Sequence, residues 1–390
     1  MTGRVLLVIT ADDASKSPRS GPRKDYRVLA DALGADCIDR SDIRRSPVLR
    51  RLLPLVGMAC LQAWSAFTRR NGYDVIVTDG EHIGIPLALM LRLVRSRVAH
   101  ITIGHRLTAA KKQPFFKWLK VHSYMDCIAV HSRRQYEMAV DDLGIPPQRL
   151  ALIPYQVDTD FWTTTTADAE EHLICSAGLE FRDYPTLVRA VDGLDVKVVI
   201  GAASHWSKRR NSASGQLPSN VEVSAFDYEA LRSVYARSAI VVVPLDDIDF
   251  QAGVTTILEA MAMGKPVIVT HSQGQTDVVE DRRSATRGEH VRTRPQSLIR
   301  GLAHSSGVAL QATGYYVPPQ DPAALRRAIV HLLEHREARR QLGAAGRQTV
   351  EQFLTVDQFA QRVKEIVDST LALRAARDQV APAMTLASQN

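Results

Sequence analysis

The sequence predicts an α/β protein built from two parallel-sheet domains, and three observations carry that expectation. Short β-branched runs alternate with amphipathic helical stretches along the chain, as stacked β-α-β units require. The 390 residues suffice for two domains at roughly 100–200 residues each. A polar stretch without periodicity divides the strands into two series.

In the first half the expected strands are 4–9, 74–78, 98–103, 127–130 and 150–153. The first of them, Arg4-Val5-Leu6-Leu7-Val8-Ile9, lacks the long apolar core and small-residue cleavage site of a signal peptide and reads as a buried strand. The divider is Gln156-Val157-Asp158-Thr159-Asp160-Phe161-Trp162-Thr163-Thr164-Thr165-Thr166, which places the boundary near 166. Strands at 172–176, 196–200, 220–224, 239–243 and 266–269 follow. The stretch 322–335 sets Leu325, Ile329, Leu332 and Leu333 on one face and covers the second sheet. The expected organisation is a first domain over 1–166, a second over 167–356, a helix at 357–370 crossing back to the first domain, and a frayed tail at 371–390.

Composition narrows the function. No apolar run reaches the ~20 residues of a membrane-spanning helix, so a cytoplasmic location is expected. Cys37, Cys60, Cys127 and Cys175 stand singly, without the spacing of a zinc site or disulfide framework. The net charge of +7 is uneven: residues 1–166 hold 24 Lys+Arg against 16 Asp+Glu, or +8, and residues 167–390 hold 25 against 26, or −1. The basic half suits phosphate-bearing substrates or an anionic membrane surface. With no aromatic-interleaved RNA motif, zinc finger or basic zipper, nucleic acid is not expected as a partner.

The most informative segment runs Val241-Val242-Val243-Pro244-Leu245, then a polar loop, then Phe250-Gln251-Ala252-Gly253-Val254-Thr255-Thr256-Ile257-Leu258-Glu259-Ala260-Met261-Ala262-Met263-Gly264-Lys265-Pro266-Val267. It reads as strand, glycine loop, helix and a second strand. Backbone N–H groups from Gly253 through Val254 and Thr255 to Thr256, backed by the helix dipole, suit a diphosphate or sugar hydroxyls. Glu259, between Leu258 and Ala260, is costly on an apolar helix without a partner. Either a ribose diol satisfies it or it lies exposed.

This segment resembles the sugar-donor motif of glycosyltransferase family 4, in which two glutamates are separated by seven residues and the second precedes Ala-Met-Ala-x-Gly-x-Pro-Val. The resemblance extends over about 172–355, through Ser176-Ala177-Gly178, Arg182-Asp183-Tyr184-Pro185-Thr186-Leu187, Val198-Val199-Ile200-Gly201, Ala225-Phe226-Asp227-Tyr228-Glu229-Ala230-Leu231 and Gly314-Tyr315-Tyr316-Val317-Pro318. It is weaker in the first half, at Ala129-Val130-His131-Ser132 and Leu152-Ile153-Pro154-Tyr155.

The resemblance implies the GT-B fold, two Rossmann-like domains facing a central cleft, and a retaining hexosyltransferase that uses a nucleotide diphosphate sugar. A UDP-sugar is favoured and a GDP-sugar next, with a glycan, lipid or small-molecule hydroxyl as acceptor. No metal or other cofactor is expected. Glu259 would hold the ribose 2′- and 3′-hydroxyls. Gln251 stands where the family has its first glutamate, against the donor sugar, and an amide cannot carry that charge. Arg182 would neutralise the diphosphate. The second phosphate cation of the family is replaced by Leu179, leaving Lys208, Arg209 or Arg210 either as substitutes or as a solvated run. Phe226 would pack near the base and Gly201 near the nucleotide, or both are ordinary core and turn residues. His105 would contact the donor sugar from the first domain, and Gly21, with Lys16, Arg19, Arg23 and Lys24 nearby, would meet phosphate or an anionic acceptor.

Other readings stand beside these. A nucleotide-sugar-binding protein without transfer fits Gln251, and a sugar-nucleotide epimerase is the other-class alternative. The acidic pair in Asp247-Ile248-Asp249 is expected to be a solvated loop. The stretch 282–312, with six arginines against Glu289, interrupts the family pattern as a mobile surface insertion, an oligomer contact or an idle loop. The basic stretches 44–56 and 111–120 either pack apolar faces into the first domain or lie on an anionic bilayer, giving peripheral contact at its inner face.

Overall fold

The computed structural model describes residues 3–12, 21–163, 170–202, 217–281 and 297–387, with side chains to Arg377. The first sheet contains β1 (Val5–Val8), β2 (Asp36–Ile38), β3 (Val75–Asp79), β4 (Ala99–Gly104), β5 (Cys127–Val130) and β6 (Leu150–Leu152), in the order β2-β1-β3-β4-β5-β6. The second contains β7 (Glu170–Ala177), β8 (Lys197–Gly201), β9 (Val221–Ser224), β10 (Ser238–Val243), β11 (Val267–Thr270) and β12 (Gly314–Val317), in the order β12-β11-β10-β7-β8-β9. All pairings between these strands are parallel.

Helices cover both faces, so the central strands are largely apolar, and every residue of β1 and of β10 is buried. The ten expected strands all form. The two that were not expected, β2 and β12, lie at sheet edges. Strand order reverses between β1 and β3 and again between β7 and β10, and a ligand crevice opens beyond the carboxyl ends of parallel strands at such points.

The chain passes between the two sheets twice, and the passages are joined. Val157 N–H donates to Leu354 O at 2.9 Å, and Val356 N–H donates to Val157 O at 3.0 Å. Residues 156–163 are therefore pinned rather than free, with Val157, Asp158 and Trp162 buried. The last helix, Val356–Ala387, packs Phe359, Ala360, Val363 and Val367 into the core beneath β1, β3 and β4.

Two expectations are corrected. The end of the chain does not fray from 371, because the helix continues to Ala387, Leu371 packs on the first core and Arg374 forks onto Asp126. Nor is 282–312 wholly a surface insertion. Its described part contains a helix, Leu298–Ser305, that buries Leu298, Ile299 and Ala303, while 282–296 lies outside the described residues. The excursion closes on itself: Thr313 N–H donates to Glu280 O at 2.8 Å and Asp281 bridges to Gly314.

Candidate functional site

The second domain's crevice is assembled where β7 and β10 end. β7 runs into Gly178, whose φ of +99° is left-handed and whose N–H donates to Gly201 O at 2.9 Å. Glycine is required there, because a Cβ would stand 2.4 Å from Arg182 Nη2. Gly201 is likewise backed by Phe226, whose Cδ2 would lie 3.2 Å from an added Cβ.

Arg182 is 7% exposed and lies beneath these backbones. Its Nε donates to Ala177 O at 2.9 Å, Nη1 to Glu180 O at 2.7 Å and Nη2 to Thr256 Oγ1 at 3.2 Å. Burial pulls its pKa below the ordinary arginine value. The guanidinium thus supports the floor of the crevice, tying the β7 turn to the helix that follows β10.

That helix, Val254–Ala262, starts after Gly253 at φ 75°. Val254 and Thr256 are buried and Thr255 is exposed on its first turn. One turn on, Glu259 is 7% exposed and accepts from Tyr235 Oη at 3.2 Å. Burial pushes its carboxyl up to about 8, against the opposing pull of Tyr235, Arg182 and Lys24. Both amide atoms of Gln251 are buried without a hydrogen-bond partner. A buried amide left unpaired costs about 1–3 kcal/mol, so a hydrogen-bonding partner at this position would be favoured.

From the first domain, His105 follows β4 and its Nε2 lies 2.8 Å from Asp79 Oδ1 at the end of β3. Burial lowers the His105 pKa, but the hydrogen bond and charge of Asp79, with Glu81 and Asp25 behind, outweigh it and leave it raised. Glu81 accepts from His105 N–H at 2.8 Å and Arg106 N–H at 3.3 Å and pairs with Lys112. Burial opposes ionisation of Glu81, yet Lys112 and these amides hold its pKa at about 2. The His105 ring stacks on His131 at 5.5 Å, and burial drives His131 down to about 3, so that imidazole is neutral.

The two halves touch around the crevice. Arg106 lies over the Phe250 ring at 4.5 Å and 3.5 Å from Asp249, joining the His105 loop to the Gln251 loop. Gly21, at φ +117°, sits against Tyr228, and Lys24 Nζ is 3.1 Å from Tyr228 Oη. Asp277 accepts from Arg133 N–H at 2.8 Å and from Leu298 N–H at 3.2 Å.

Gly178, Arg182, Gly201, Phe226, Gly253, Val254, Thr255, Thr256 and Glu259 are therefore gathered at one switch point, with Gln251 on its rim and Gly21 and His105 facing from the other domain. The acidic pair lies in a solvent-facing loop, as expected: Asp247 is exposed and accepts from Gln273 N–H at 3.1 Å, and the half-exposed Asp249 pairs with Arg106. Lys16, Arg19, Lys208, Arg209 and Arg210 lie outside the described residues. Among the described residues no group of three or more His, Cys, Asp or Glu is placed to hold a metal ion. Tyr235, Asp79 and Glu81 were missed from sequence. Asp79, at the carboxyl end of an apolar run, carried a signal, whereas Tyr235 meets Glu259 only through the fold.

The family described as Glycosyltransferase Family 4 matches residues 8–161, and Glycosyl transferases group 1 matches residues 181–335. Among solved structures, sucrose-phosphate synthase from Thermosynechococcus elongatus superimposes with a TM-score of 0.64 at 18% identity, over 95% of this chain and 99% of that one. A glycosyltransferase from Rickettsia africae gives 0.62 at 14%, over 94% and 98%. Anabaena HepE in complex with UDP and glucose gives 0.61 at 12%, over 94% and 100%. At these identities the likeness is one of fold, GT-B with two Rossmann-like domains. No curated protein matches the chain.

Proposed function

The chain belongs to glycosyltransferase family 4, and from that premise we propose that it transfers a hexose, with retention, from a nucleotide diphosphate sugar to a hydroxyl acceptor. The observation that carries the reading is the buried Glu259 carboxyl group beside the N-terminal turn of Val254–Ala262, a hydrogen-bonding partner for a sugar diol next to donors for a diphosphate. A UDP-sugar is the favoured donor. Anabaena HepE has been seen with UDP and UDP-glucose, and the Escherichia coli trehalose-6-phosphate neighbour is bound with UDP-2-fluoro glucose.

In this reading Glu259 holds the ribose 2′- and 3′-hydroxyls while Phe226 and Gly201 flank the base and nucleotide. The backbone amides of Gly253, Val254, Thr255 and Thr256, with the Arg182 charge beneath, stabilise the diphosphate as the bond from sugar C1 to its oxygen breaks. The acceptor oxygen bonds C1 on the same face, and its proton passes to the departing diphosphate. Gln251 and His105 hold the sugar from opposite sides, and Gly21 leaves room for phosphate beside Tyr228. The chain's own groups supply the charge, so no metal enters the scheme.

Peripheral contact with an anionic bilayer is part of the reading. Helix Pro47–Val56 buries none of its residues, so Leu55 is 84% exposed beside Arg50 and Arg51. In the other basic stretch Phe116 is buried, but Trp118 is 80% exposed. No helix among the described residues is long and apolar enough to cross a membrane.

A thermal-shift screen over nucleotides and nucleotide sugars tests the donor. A ligand at a hundred times its dissociation constant stabilises by about 2.7 kcal/mol. UDP-sugars are expected to act, and transfer or donor hydrolysis to follow across an acceptor panel. Stabilisation without either reaction favours the binding protein that the neutral Gln251 suggests, and no nucleotide response sinks the donor assignment.

A further inference from the structure

A second concave site lies on the first domain, away from the crevice. It is a cavity of about 390 Å³ lined by Arg92, Arg95, Arg149, Arg374 and Arg377, with Asp126 as its one carboxylate. Arg92 and Arg95 flank the end of helix Glu81–Leu93, just before β4, while Asp126 and Arg149 directly precede β5 and β6. The cavity therefore opens at the amino ends of these strands, whereas His105 follows the carboxyl end of β4. Five residue steps along β4 separate the two ends by roughly 17 Å.

The charge within it is unbalanced. Asp126 is already engaged: it accepts both Nε and Nη2 of Arg374, at 2.9 and 2.7 Å, and His100 N–H at 2.8 Å. Arg149 donates to Met125 O, and Arg92 lies over the Tyr124 ring at 4.8 Å. Among the described residues no carboxylate comes within ion-pair distance of Arg92, Arg95, Arg149 or Arg377, so four guanidinium groups share one concavity without a counter-charge. Such forks match phosphate oxygens two at a time, and the volume is that of a small-molecule site.

We propose that this cavity binds a phosphate-bearing anion, independently of the donor crevice. Two sources share that chemistry: a soluble phosphate compound, or the headgroup of an anionic lipid. Chain-adjacent Leu93, 83% exposed, and the exposed Val94 and Leu373 give the lipid source an apolar contact.

The full chain and Arg92→Gln/Arg95→Gln/Arg377→Gln are compared, sparing Arg149 and Arg374, which bond the framework. Equilibrium dialysis with inorganic pyrophosphate and co-sedimentation with phosphatidylglycerol vesicles are the probes, and any pyrophosphate held in the donor crevice is common to both proteins. One further equivalent of pyrophosphate on the wild type assigns a soluble ligand. A loss of about tenfold in vesicle partitioning, some 1.4 kcal/mol, assigns the headgroup. Equal stoichiometry together with equal partitioning overturns the proposal. If the triple variant does not fold, Arg377→Gln, at an exposed position on the last helix, carries the same comparison.

Discussion

Tyr235 Oη donates to Glu259 Oε2 at 3.2 Å with both side chains buried. Among the described residues this hydroxyl is the side-chain hydrogen-bond partner of the Glu259 carboxyl, and it engages one of the two oxygens. Between the ordinary carboxyl value of 4.5 and the raised value near 8, the folded chain holds a proton that the unfolded chain has released. Stability attributable to this group therefore falls as pH rises through that window. Glu259→Gln is expected to be more stable than wild type at pH 8, by about 1–3 kcal/mol, with the gap closing toward pH 5. Glu259→Ala should stay folded and lose donor binding. Denaturant melts across pH and a donor titration check both.

Gln251→Ala removes an unpaired buried amide, so its stability should stay within about 1 kcal/mol of wild type while kcat/KM for the donor falls about 10–100-fold. Gln251→Glu is expected to retain the fold and transfer and to change sugar preference. Total loss of activity in the glutamate variant would show that the pocket requires a neutral group.

Gly178→Ala places a methyl 2.4 Å from Arg182 Nη2 at a left-handed φ. The expected cost is about 1–3 kcal/mol in unfolding free energy and a donor affinity at least tenfold weaker. Unchanged values would mean that the turn and Arg182 move freely.

Asp79→Asn removes the carboxylate that does most to raise His105 against its burial. The His105 titration followed by NMR should move down, with Glu81 and Asp25 still opposing burial. In wild type the stability from this pair is present below pH 6.5 and lost as pH rises through the raised value, so the variant should lack that dependence.

Leu52→Gln/Leu55→Gln alters a helix with no buried residue. Unfolding free energy should change by less than about 0.5 kcal/mol, while co-sedimentation with phosphatidylglycerol vesicles at low salt drops. Loss of stability would instead place these leucines in packing.

The sequence by itself determined the two sheets and the strand, turn and helix of the segment that carries Gln251 and Glu259. Doubly covered strands such as β1 and β10 must be apolar runs, and the stretch 251–267 carries its turn, helix and cap contiguously, so both are written in local order. Tertiary structure alone decided what meets across the fold. Edge strands β2 and β12 owe their pairing to neighbours rather than pattern. Tyr235 reaches Glu259 across 24 positions, and Asp79 reaches His105 across 26. An amphipathic period in 47–56 says that one face is apolar but not whether anything covers it. The five arginines of the second cavity come from three separate segments, and periodicity, which reports only which way a side chain points from its own element, carries no information about which distant element it will find there.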